Sequence, residues 1–163
     1  MSEKNDKFAK ALDQLITDGD TLHMAMQYDC YGEVFAEQAK KQLGKEKVEK
    51  YLGSLPDFKE KYQAWYSEAQ ALVKQVLPDR LSDFQSYYEC PRVRKDITFQ
   101  NYMIRDYLQG LRITRGWEKE VIADGNSAIP EFVQQLNIVK AAREKLDSAL
   151  IDLTAILQAD LFD

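Results

Sequence analysis

The chain has 163 residues, 45% hydrophobic and 30% charged, with a formal net charge of −5 and a pI near 5.0. That length suits one domain with a sizeable core, the composition excludes a disordered tract, and the acidic balance excludes attraction of the whole molecule to nucleic acid or an anionic membrane. The polar start MSEKNDK has no apolar h-region, and no apolar run approaches the roughly 18 residues a membrane span needs, so the expected location is the cytoplasm.

In chain order, Phe8, Ala11, Leu12, Leu15, Ile16, Gly19, Leu22, His23 and Met26 fall at helical spacing and predict a first helix from about Glu3 to Cys30. Gly19, between Asp18 and Asp20, is expected to weaken or bend it. A second helix, Glu33 to Leu43, stops at Gly44, and a short third, Lys45 to Leu52, ends at Gly53. Ser54, followed by Pro56 and Asp57, is the expected N-cap of a helix carrying Phe58, Tyr62, Trp65, Tyr66, Ala69, Leu72, Val73 and Val76.

Pro78 opens a short helix with Leu81, Phe84, Tyr87 and Tyr88, and Cys90 to Ile97 reads as a polar, basic connection. Thr98 is the expected cap of a helix from Phe99 to about Leu111. Thr114 to Ser127 shows little periodicity and reads as a loop with one helical turn around Trp117, and the chain lacks strand alternation of useful length.

Ser127 and Pro130 then start a long last helix. From Ile129, alternating steps of three and four reach Phe132, Leu136, Val139, Arg143, Leu146, Leu150, Leu153 and Leu157, all apolar except Arg143. Such a heptad stripe belongs to a helix packed along its length against others. About 30 residues would extend roughly 45 Å, and the stripe is expected to be buried within the chain. The fold class is therefore all-α, a bundle of about five to seven helices in a single domain, residues 1–163, with the long helix as its spine.

Chemistry is sparsely indicated. His23 is the sole histidine, with Asp20 one turn away, so paired Glu-x-x-His ligands and a Ser-His or Cys-His nucleophile find no support in the spacing. No GxxxxGK[ST] or GxGxxG occurs. Cys30 and Cys90 stand alone and read as reduced thiols; Cys90 lies near Arg92, Arg94 and Lys95, which favour a thiolate. Arg80 and Asp83 are placed as an i, i+3 ion pair. No enzyme, metal or cofactor is expected.

The segment from Pro91 to Trp117 stands apart. It holds Arg92, Arg94, Lys95, Arg105, Arg112 and Arg115 against Asp96 and Asp106, a balance of +4 that leaves −9 to the remainder of the −5 chain. Tyr102, Tyr107 and Trp117 are interleaved. Arginine with aromatics suits phosphate contact and base stacking, and suits a protein interface equally. The same residues also serve if the arginines pair with the fold's own acids. If the segment binds nucleic acid, Arg92, Arg94 and Lys95 are the best phosphate contacts, since their connection is the part least committed to packing; pairing with the fold's own acids is the favoured outcome.

LPDRLSDFQSYYE (Leu77 to Glu89), NYMIRDYLQGLRITRGWEKE (Asn101 to Glu120), IPEFVQQLNI (Ile129 to Ile138) and ILQADLFD (Ile156 to Asp163) together resemble the N-terminal helical region of a group of poorly characterised bacterial proteins. The resemblance implies that longer members continue into a HEPN-type helical domain, that this chain is the N-terminal part of a longer protein, and that its setting is host defence or a toxin–antitoxin system. The Arg-to-His motif of HEPN ribonucleases is absent, since the only histidine precedes every arginine. The sequence thus points to a non-enzymatic accessory module that assembles with itself or a protein partner, without membrane contact. The alternative is a nucleic-acid-binding module using residues 91–117.

Overall fold

The computed structural model describes the backbone of residues 3–162, and side chains over 3–148 and 156–159. It is an all-α bundle with one small hairpin. Helix α1 (Glu3–Tyr31) is followed by α2 (Glu33–Leu43), α3 (Lys45–Ser54), α4 (Phe58–Val76), a 3-10 turn (Pro78–Arg80), α5 (Leu81–Ser86) and α6 (Ile104–Leu108). Strands β1 (Ile113–Arg115) and β2 (Glu120–Ala123) precede a second 3-10 turn (Gly125–Ala128) and the 34-residue α7 (Ile129–Phe162).

The core lies between α1, α4 and α7. Phe132 of α7 sits 5.1 Å from Phe58 and 5.0 Å from Trp65, ring centroid to centroid, and Tyr66 stacks on Phe84 at 5.5 Å. Three polar connections run through it and are fully satisfied. The buried Tyr62 hydroxyl donates to Gln135 Oε1 at 2.6 Å, the Gln135 amide donates to the Phe84 carbonyl at 2.9 Å, and Trp65 Nε1 donates to the Leu15 carbonyl at 2.9 Å. Each bond ties side chains on one element to another, so the aromatic face of α4 is fixed in register as well as buried.

Gly19 does not interrupt α1, which runs unbroken from Glu3 to Tyr31. It lies where α1 meets both other core helices, and a Cβ there would stand 2.5 Å from Leu136 Cδ1 and 3.3 Å from Trp65 Nε1. The residue is small because the helices approach closely, not because the helix breaks.

Several local expectations are corrected. Asp57, not Ser54, caps α4: its carboxylate accepts the Lys59 amide at 3.0 Å, while α3 runs on through Gly53 to Ser54. The helix expected from Phe99 to Leu111 shortens to Ile104–Leu108. Asn101 accepts the Thr98 amide at 2.7 Å and Asp106 accepts the Met103 amide at 2.8 Å, so side chains have taken backbone donors that helix would have used. Arg94 also bonds the Asn101 carbonyl at 3.0 Å.

The expected loop at 114–127 contains an antiparallel hairpin, with Thr114 opposite Val121, Arg115 opposite Glu120 and a bulge beside Ile113. Gly116 (φ 77°) and Lys119 (φ 53°) turn its tip, where the Lys119 amide donates to the Gly116 carbonyl at 3.2 Å. Paired β-branched residues, Ile113-Thr114 and Val121-Ile122, on either side of a glycine-bearing turn are the signal that periodicity over longer windows passes over.

Candidate functional site

The stripe on α7 divides. Ile129, Phe132, Leu136, Val139 and Leu146 are buried in the chain's own core, as expected. Arg143, its polar member, is half-buried and bonds Asp13 at 2.8 Å and Asp147 at 2.6 Å. Further on the outcome reverses: Leu146 is 7% exposed, whereas Leu157 is 51% and Ile156 58% exposed. Leu150 and Leu153 lie outside the described side chains. The expectation of a stripe buried along its whole length is therefore corrected at its far end.

Helix register gives the reason. The Gly19–Leu136 and Asp13–Arg143 contacts run in opposite chain directions, so α1 and α7 are antiparallel. At equal rise per residue, position 153 comes level with Glu3, where α1 begins as described. Ile156 and Leu157 lie beyond that level, past the described residues of α1.

The basic segment divides in the same way. Arg94 is committed to the fold. Its guanidinium meets Asp106 end on through both terminal nitrogens, Nη1 to Oδ2 at 2.5 Å and Nη2 to Oδ1 at 2.9 Å, and Asp106 is 2% exposed. The hydrogen bond to Asp106 raises the Arg94 pKa above its ordinary value. Arg94 thus pairs with one of the fold's own acids, the outcome favoured from the sequence, and it clamps the 90–97 connection to α6. Arg105 pairs with Glu89 at the surface. Among the described residues, Arg92, Lys95, Arg112 and Arg115 are exposed and have no carboxylate within ion-pair distance.

Arg92, Arg94 and Arg105 converge with Glu89, Cys90 and Asp106 around an open cleft of about 460 Å³. Lys95, Arg112, Arg115 and Trp117 do not line it. The two carboxylates neutralise two of its three guanidiniums, so its charge is close to balanced and its character structural. Trp117 instead stands at the hairpin tip between Gly116 and Lys119 and is fully exposed, unlike Tyr102 and Tyr107, which fill the core.

His23 and Cys30 are held within the fold. The Gln27 amide pairs with His23 Nε2 at 2.9 Å, one turn along the same helix, and burial lowers the His23 pKa against the opposing pull of Asp20. Cys30 and Cys90 are both free thiols. Burial, with Asp29 beside it, raises the Cys30 thiol to about 11, which keeps it protonated and unreactive at neutral pH. Arg80 and Asp83 form the expected ion pair at 3.0 Å. Among the described residues no group of three or more His, Cys, Asp or Glu is placed to hold a metal ion, and no helix is long and apolar enough to cross a membrane.

Among the described residues the exposed large apolar side chains include Ile156 and Leu157 at the end of α7, Trp117 at the hairpin tip, and Val93 and Phe99 between α5 and α6. Sequence reasoning identified the cations and Trp117 individually but missed the hairpin that presents the tryptophan. Compared with family models, with curated proteins and with solved structures, the chain gave no match.

Proposed function

We propose that the chain is a non-enzymatic helical module that assembles with itself or a protein partner through the exposed end of α7. The observation that carries this reading is the contrast along one stripe: Leu146 at 7% exposure and Leu157 at 51%. An apolar face continuing past the core in helical register is the form in which one helix receives another. In keeping with the resemblance of its sequence, the module serves as the accessory part of a longer bacterial defence or toxin–antitoxin-like protein in the cytoplasm, and α7 links it to a C-terminal effector domain. Replacing Ile156 and Leu157 with Glu should abolish concentration-dependent association in sedimentation equilibrium while the melting temperature stays unchanged. Association that survives the double replacement rules out the α7 end as the assembly surface.

A second reading is supported by the unpaired state of Arg92, Lys95, Arg112 and Arg115. Four exposed cations near an exposed tryptophan suit single-stranded nucleic acid. Fluorescence anisotropy with single-stranded RNA and DNA at two salt concentrations tests it: binding must fall steeply with salt, and the quadruple Ala variant must flatten that slope. Arg94 takes no part in this reading, because it is paired with Asp106 within the fold.

A further inference from the structure

The two parts of α7 differ in charge as well as in burial. Residues 129–145 carry Lys140, Arg143 and Lys145 against Glu131 and Glu144, a balance of +1. Residues 146–163 carry Asp147, Asp152, Asp160 and Asp163 and neither lysine nor arginine, a balance of −4. Arg143 bonds Asp147 at 2.6 Å, so one of these four acids is answered within the helix itself.

Helix α1 offers little to offset the rest. By the register of the Asp13–Arg143 contact its start comes level with positions 146–153, and it holds Lys4, Lys7 and Lys10 against Glu3 and Asp6, an excess of one cation. Past position 153 the sequence adds Asp160 and Asp163 and no cation. The stripe itself also turns polar there: from Leu157 its next step of three reaches Asp160, in a helix that runs to Phe162. A carboxylate at a step of an apolar stripe is tolerated under a partner only when a cation or a hydrogen-bond donor meets it.

Resting on the reading of the α7 end as an assembly surface, we infer that this end prefers, over a second copy, an amphipathic helix whose apolar stripe is flanked by lysine or arginine. A second copy pairing end on end brings the same four aspartates and no cation from 146–163, whether the helices run parallel or antiparallel. Parallel and in register, it also sets Asp160 against Asp160. Charges beside an apolar seam select the partner of a paired helix, and like charges suppress the wrong one. Self-association through Ile156 and Leu157 is therefore the weaker use of this surface, and it rises with salt as the repulsion is screened.

The test titrates the full chain into labelled synthetic peptides and reads fluorescence anisotropy at two salt concentrations. One peptide has the sequence of residues 146–163, a second has its four aspartates replaced by lysine, and a third scrambles the second so that the apolar stripe is lost. The lysine peptide should bind about tenfold more tightly than the aspartate peptide or better. Added salt should weaken the lysine peptide and strengthen the aspartate peptide. The scrambled peptide should not bind, which separates docking from attraction to an acidic chain. A protein carrying Asp152→Asn and Asp160→Asn, checked for folding by circular dichroism, should lose most of the preference and self-associate more strongly in sedimentation equilibrium. An aspartate peptide that binds as tightly as the lysine peptide, a scrambled peptide that binds as well, or an Asn variant with its preference intact overturns the inference and leaves the α7 end as an assembly surface. Lysine-peptide binding that survives Ile156→Ser with Leu157→Ser overturns that underlying reading, and the inference with it.

Discussion

Leu146 and Leu157 occupy the same stripe of one helix, eleven residues apart, and are put to opposite uses. Leu146 is held under α1 in the core; Leu157 stands in solvent because α7 outruns the helix that covers it. The arm between α5 and β1 repeats the contrast in charged residues: Arg94 is locked onto a buried carboxylate, while Arg92, two positions earlier, has no carboxylate partner among the described residues. In both cases the residue type is uninformative and its neighbours decide whether it builds the fold or faces outward.

The largest effect is expected at the middle of the buried half. Phe132→Ala removes a fully buried ring that meets Phe58, Tyr62 and Trp65, and should cost about 3–5 kcal/mol in urea unfolding. Within the stripe, Leu146→Ala should cost about 2–4 kcal/mol and Leu157→Ala less than about 0.5. Equal costs at the two positions would erase the division of α7 on which the functional reading rests.

The charged contrast is sharpened by Arg94→Met against Arg92→Ala. Loss of Arg94 leaves the buried Asp106 carboxylate with the Met103 amide as its remaining protein donor and should cost about 2–4 kcal/mol. Loss of Arg92 should be neutral within about 0.5 kcal/mol. Matching melting curves for the two variants would show the clamp to be ornamental.

The smallest effect is in pH. Burial holds the His23 pKa below its ordinary 6.5, so the unfolded chain binds the proton more tightly than the folded one. Stability is then undiminished above pH 6.5 and declines as pH falls through 6.5 toward the folded value. His23→Gln should remove that part of the slope in unfolding titrations between about pH 7.5 and about pH 5.5. A slope that persists in the variant assigns it to other groups.

Much of the fold was legible from residue spacing. Helices α1, α4 and α7 follow from apolar periodicity because each packs one face on a common core, and burial enforces the period. The shortened α6 was hidden because its limits are set by Asn101, Asp106 and Arg94 capturing backbone groups, pairings that depend on which residues meet in three dimensions. The role of Gly19 was misread for the same reason: its smallness answers to Leu136 and Trp65, both distant in sequence. The cations of the basic segment were visible as a cluster, but which of them the fold consumes was not, since Arg94 and Arg92 look alike until Asp106 is placed.

Helix α7 is thus a core element in its first half and exposed at its end, the part proposed to dock. Sedimentation equilibrium of the wild-type chain beside the Ile156→Glu, Leu157→Glu variant, with urea unfolding of the same samples, tests this division most directly. The expected result is weaker association for the variant, with a monomer stability unchanged within about 0.5 kcal/mol. A variant that unfolds more readily while associating as before would place the end of α7 in the core and contradict it.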